Sequence, residues 1–72
     1  MRTIDLRPGE DTIRLGQLLK ATGLVDAGGD VRELLAHVEV LVNGEPEDRR
    51  GRQLHAGDEV RMGDEVVRVV AP

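Results

Sequence analysis

The 72 residues include no Phe, Trp, Tyr or Cys, and this limits the possible fold more than any other property. A chain this short buries only about 60% of the surface its unfolded form exposes, and here the buried part must be aliphatic. Leu, Val and Ile have to be spaced so that every helix and strand turns one apolar face inward. Function is narrowed as well. Without cysteine there is no disulfide, no thiol nucleophile and no sulfur-ligated zinc. Ser is also missing, so a serine triad is excluded. His37 and His55 stand eighteen residues apart, and no metal or cofactor is expected. Without rings the chain cannot stack unpaired bases, as many single-strand binders do.

Apolar spacing sets the elements. Thr3 to Leu6 alternates polar and apolar and predicts a short strand, which Arg7-Pro8-Gly9-Glu10-Asp11 breaks. Leu15, Leu18 and Leu19, with Thr22 on the same side, predict a helix from about Arg14 to Ala21. Gly23 suits the left-handed geometry that ends helices, and Leu24 and Val25 are expected to anchor the link that follows. Asp30 followed by Glu33 forms a candidate capping box. Behind it, Val31, Leu34, Leu35 and Val38 make an i, i+3, i+4, i+7 face that predicts a second helix. From Glu39 the period becomes two. Val40 and Val42 lead into Asn43-Gly44, a strong turn signal, and Glu59–Met62 and Glu65–Val70 read as hairpin strands around Gly63-Asp64. The expected order is strand, helix, helix, then a small, mostly antiparallel sheet in an α+β chain.

Charge points two ways. Fourteen acids against ten bases give a formal net charge of −4, which opposes indiscriminate attraction to nucleic acid. Nine of the ten bases are Arg, the side chain best suited to forked phosphate contacts, so placement matters more than the sum. No apolar run approaches the length of a membrane span, and Met1-Arg2-Thr3-Ile4-Asp5 does not begin a signal peptide. A soluble, cytoplasmic protein without membrane or small-molecule partners is expected.

The ordered set Arg14-Leu15-x-x-Leu18-Leu19, Leu34-Leu35, Val40-x-Val42-Asn43-Gly44 and Gly57-Asp58-x-Val60 resembles the S4 domain. This is the alpha-L RNA-binding motif found in a small-subunit ribosomal protein, pseudouridine synthases and tyrosyl-tRNA synthetases. Val42-Asn43-Gly44-Glu45-Pro46-Glu47-Asp48-Arg49-Arg50-Gly51-Arg52, with Gly28-Gly29 before the second helix, is similar to a small stand-alone bacterial group called YaaA-like. The resemblance covers residues 3 to 70. It implies one domain over residues 1–72, with two short helices packed on the sheet and presented to structured RNA, ribosomal or transfer, with the ribosome a candidate location. By position, Arg14 matches the basic residue opening the first helix, Arg32 one early in the second, and Arg49, Arg50 and Arg52 the basic loop. The chain departs from the pattern at Ala27-Gly28, where most such domains carry Ser-Arg, and at Val38, where Gly is usual.

Each candidate also has a plain reading. Arg49, Arg50 and Arg52 either clamp adjacent phosphates or pair with Glu45, Glu47 and Asp48 in a solvated turn. Arg14 and Arg32 are RNA contacts or solubilising charges, and Lys20 and Gln17 are rim positions. His37 is either a phosphate contact or solvated, and His55 is a loop residue. Gly28-Gly29 lies in no phosphate-loop pattern and reads as a flexible entry to the capped helix. No acid is paired with a nucleophile or base, so a non-catalytic RNA-binding protein is expected. The competing reading is a protein-interaction adaptor of the same fold that docks a basic partner on its acidic surface. A continuous positive patch joining Arg14, Arg32 and the basic loop separates the two.

Overall fold

Among the described residues, fourteen aliphatic side chains form the buried core: six Leu, seven Val and Ile13. The structure, a computed structural model, describes residues 2–26 and 28–72. Its elements are β1 (Arg2–Asp5), β2 (Ile13–Arg14), α1 (Leu15–Ala21), α2 (Val31–His37), β3 (Val40–Val42), β4 (Glu45–Pro46), β5 (Gln53–Leu54), β6 (Glu59–Met62) and β7 (Glu65–Val70). Five strands form one sheet in the order β1-β7-β6-β3-β4, and β2 pairs with β5 separately. All pairings are antiparallel except β1 with β7. The chain is α+β, with two helices on a mostly antiparallel sheet.

The strands obey the period-two rule. Val40 and Val42 of β3, Val60 of β6 and Val67 and Val69 of β7 are buried, while Arg61 and Arg68 between them are exposed. Leu15, Leu18 and Leu19 of α1 and Val31 and Leu35 of α2 join the same apolar cluster. Asn43 and Gly44 both take positive φ, 52° and 84°, as a two-residue hairpin turn requires. The Asn43 side chain also donates to Asp58 Oδ1 at 3.0 Å and accepts the Glu59 backbone amide at 2.9 Å. The turn is thereby pinned to the start of β6.

The two helices begin in different ways. Asp30 caps α2 as expected, its Oδ1 accepting the amides of Arg32 and Glu33 at 2.9 and 3.3 Å. Only half of the capping box forms, since the Glu33 carboxylate makes no return bond among the described residues. Arg14 does not belong to α1. It is the residue before it, extended at φ −77° and ψ 147°, and pairs with Gln53 of β5. It supplies no side-chain cap. The Leu15 and Gly16 amides donate instead to the carbonyl oxygens of Arg52 and Arg50, each at 2.9 Å. A loop remote in sequence thus satisfies the donors a helix start leaves open.

Val38 departs from its expected place on the apolar face and is 38% exposed. It is extended (φ −121°, ψ 131°), and its amide closes the last turn onto the Leu34 carbonyl at 2.8 Å. α2 ends one residue earlier, before the i+7 position completes the stripe. The geometry needs no positive φ here, so a β-branched residue fits where the family usually has Gly.

Candidate nucleic-acid interface

The start of α1, the entry to α2 and the loop between β4 and β5 enclose an open groove of about 770 Å³. Four of the six sequence-predicted residues line it: Arg14, Lys20, Arg32 and Arg50, with Gln17 alongside. Arg14 comes from the residue preceding α1, Lys20 from its last turn, Arg32 from the first turn of α2 and Arg50 from the loop. All four are exposed. Among the described residues none of them has a carboxylate within ion-pair distance. The groove's one acid, Asp30, spends an oxygen on the two α2 amides.

Arg49 and Arg52 lie outside the groove lining and close on Glu47. Arg49 donates from Nε and Nη2 to the two carboxylate oxygens at 3.1 and 3.0 Å, and Arg52 donates from Nη1 at 2.8 Å. The Asp48 and Arg49 amides add bonds of 3.1 Å each. Hydrogen bonds from the Arg49 and Arg52 side chains outweigh the effect of burial and lower the Glu47 pKa to about 2. The same contact raises that of Arg49. Of the three acids expected as partners, only Glu47 takes that part among the described residues.

The loop is shaped by a turn in which the Arg52 amide donates to the Arg49 carbonyl at 3.2 Å, with Arg50 and Gly51 at its corner. Its backbone comes up against the first turn of α1. A Cβ at Gly16 would stand 3.4 Å from both the Arg50 carbonyl oxygen and Val31 Cγ1, which is ordinary van der Waals contact. Sequence reasoning passed over Gly16. The signal was a glycine in the first turn of a helix, a position where it weakens helix formation. It also weighed Glu47 only as one acid among three.

The remaining candidates fall elsewhere. His37 Nδ1 lies 2.9 Å from the Glu33 carbonyl oxygen, and His37 does not line the groove. His55 stands beside Asp58, whose carboxyl burial pushes up. Hydrogen bonds from the His55 amide and the Asn43 side chain reverse that and hold it below the usual range. Gly28 borders the groove, while Ala27, the other half of the departure from the family pattern, lies outside the described residues. Gly29 is closely packed, since a Cβ added there would stand 2.8 Å from Val25 Cγ1. Among the described residues no three His, Asp or Glu gather to hold a metal ion, and no helix is long and apolar enough to cross a membrane.

This combination of α+β architecture and basic groove agrees with the class the motifs resembled. The S4 domain family matches residues 6–70, and the chain belongs to that RNA-binding family. It is similar to a Bacillus subtilis (strain 168) protein named "Probable ribosome maturation protein RlbA". The two are 46% identical over 52 residues, which is 72% of this chain and 73% of that protein. No solved structure matches.

Proposed function

We propose that residues 1–72 act as a single, non-catalytic RNA-binding domain of the alpha-L type that docks structured RNA through phosphate and shape contacts. The observation that carries this reading is the gathering of four cations, Arg14, Lys20, Arg32 and Arg50, around one groove, none with an ion-pair partner among the described residues. Cations supplied by the strand residue before α1, by both helices and by a loop suit the phosphates of a folded backbone, where forked hydrogen bonds from the three arginines add to charge. Arg49 and Arg52 stand outside the groove lining, paired with Glu47, with side chains 71% and 38% exposed. No ring is needed for this mode, because shape and the backbone carry recognition of structured RNA.

The name of the Bacillus subtilis relative, a probable ribosome maturation protein, supports the ribosome as the place of action. On this reading the target is ribosomal RNA, with transfer RNA the other candidate, and the location is the cytoplasm. The adaptor reading, an acidic surface docked on a basic partner, loses support because the cations are concentrated and not dispersed.

The test is fluorescence anisotropy with ribosomal RNA fragments and bulk tRNA over a salt series. Arg14→Ala/Arg32→Ala/Arg50→Ala is expected to weaken binding. It should also flatten the log–log salt dependence by roughly 2 to 3, at about 0.7–0.9 per lost phosphate contact. Native affinity and slope in this variant would remove the groove from the RNA site.

A further inference from the structure

We propose that Glu47 is a positioning residue for RNA binding: an acid beside a polyanion site that strengthens binding by aiming Arg50 into the groove. This rests on the RNA reading above and adds to it the part of the loop that touches no RNA. The Glu47 carboxylate accepts five hydrogen bonds, from the Asp48 and Arg49 amides and from the Arg49 and Arg52 side chains. Its side chain is only 6% exposed. Its own amide donates to the Val40 carbonyl at 2.8 Å, so the carboxylate is anchored to β3. From the far side of the loop, the Arg50 and Arg52 carbonyls accept the first two amides of α1. The path runs from β3 through Glu47 and the two arginines to the start of the helix, with Arg50 and Gly51 at the turn between them. Arg49 and Arg52 are struts of this loop, and Arg50 is the cation it delivers.

Charge alone predicts the opposite. Glu47→Gln makes the net charge less negative and, by the long-range field, would draw RNA closer. Without the carboxylate, however, Arg49 and Arg52 lose a shared partner and repel each other and Arg50 within four residues. The Gln amide nitrogen cannot accept the three bonds that Oε2 now takes. The loop then opens, and Arg50 leaves its place over Gly16.

The experiment uses the full chain with bulk tRNA and ribosomal RNA fragments in anisotropy titrations at fixed salt and neutral pH. Glu47→Gln is expected to weaken binding about tenfold, and to have little further effect when Arg50 is already Ala, the non-additivity of residues acting through one another. Glu47→Asp keeps the charge and shortens the reach, and is expected to lose part of the affinity. It also serves if the Gln variant does not fold. Equal or tighter binding by the folded variants, or the same loss in the Arg50→Ala background, overturns the proposal. Should the native chain bind neither RNA, the RNA reading fails and the role in RNA binding falls with it, while amide exchange decides separately whether Glu47 holds the loop in place. Faster exchange at Leu15 and Gly16 in Glu47→Gln, with β7 amides unchanged, shows that it does; unchanged exchange there overturns the positioning of the loop as well.

Discussion

Arg49 and Arg52 share one carboxylate, while Arg50, between them in the chain, has none among the described residues. Three cations and three acids in one polar stretch carry no sign of this division in the sequence, because every pairing among them is within reach. The fold decides. Glu45 is drawn into β4, Asp48 points to solvent, and Glu47 is turned inside the loop. Its depressed pKa makes the loop acid-sensitive in a defined direction. Because the folded value, about 2, lies below the ordinary 4.5, the stabilisation is complete above about pH 4.5 and is lost as pH falls toward 2. Asp58, also held low, acts in the same sense. Urea unfolding at pH 6 and pH 3 is therefore expected to show a smaller fall in stability for Glu47→Gln than for the native chain. Equal falls would mean that Glu47 titrates normally in the folded state.

The helices were legible because Leu and Val repeat along them, and the β3–β4 and β6–β7 turns because Asn43-Gly44 and Gly63-Asp64 require backbone that few residues adopt. The β2–β5 pair was not. Two residues on each side, Ile13 with Leu54 and Arg14 with Gln53, are too few to show a period, and the partners lie forty residues apart. The parallel pairing of β1 with β7 was hidden for the same reason of distance. At the entry to α2 the adjacent glycines look alike in sequence and differ in space. A Cβ added at Gly29 would stand 2.8 Å from Val25 Cγ1 and 3.0 Å from the Asp26 carbonyl oxygen, whereas one at Gly28 would meet open space, and Gly28 borders the groove. Gly29→Ala is expected to destabilise by about 1–3 kcal/mol, the usual cost of overpacking, seen as a lower thermal midpoint. Gly28→Arg restores the cation that the family usually carries there. It should leave the midpoint nearly unchanged while tightening RNA binding and steepening the salt slope by about 0.7–0.9. A large loss of stability in Gly28→Arg would show that the groove edge is packed in a way the open space does not suggest.

Across the whole molecule the charges are segregated. The groove holds four bases and one acid, which leaves six bases and thirteen acids for the rest of the chain. Two opposing electrostatic effects follow, with different ranges. On the proposed RNA reading, the groove's cations attract phosphates at close range, while farther out the net −4 repels the whole RNA and slows encounter. The repulsion acts between exposed charges separated by many ångströms, so it is screened once the Debye length shrinks to about 8–10 Å near physiological salt. Neutralising acids away from the groove should thus act mainly on association, and only at low ionic strength. Glu10 and Asp64 are exposed, line no part of the groove and have no ion-pair partner among the described residues. Glu10→Gln/Asp64→Asn is expected to raise the association rate about two- to threefold at 20 mM salt, with the dissociation rate unchanged and the advantage gone by 300 mM. Stopped-flow mixing with labelled RNA separates the two rates. A change confined to dissociation would place these acids at the bound interface, and an unchanged rate at low salt would mean that the groove's local field governs approach from the outset.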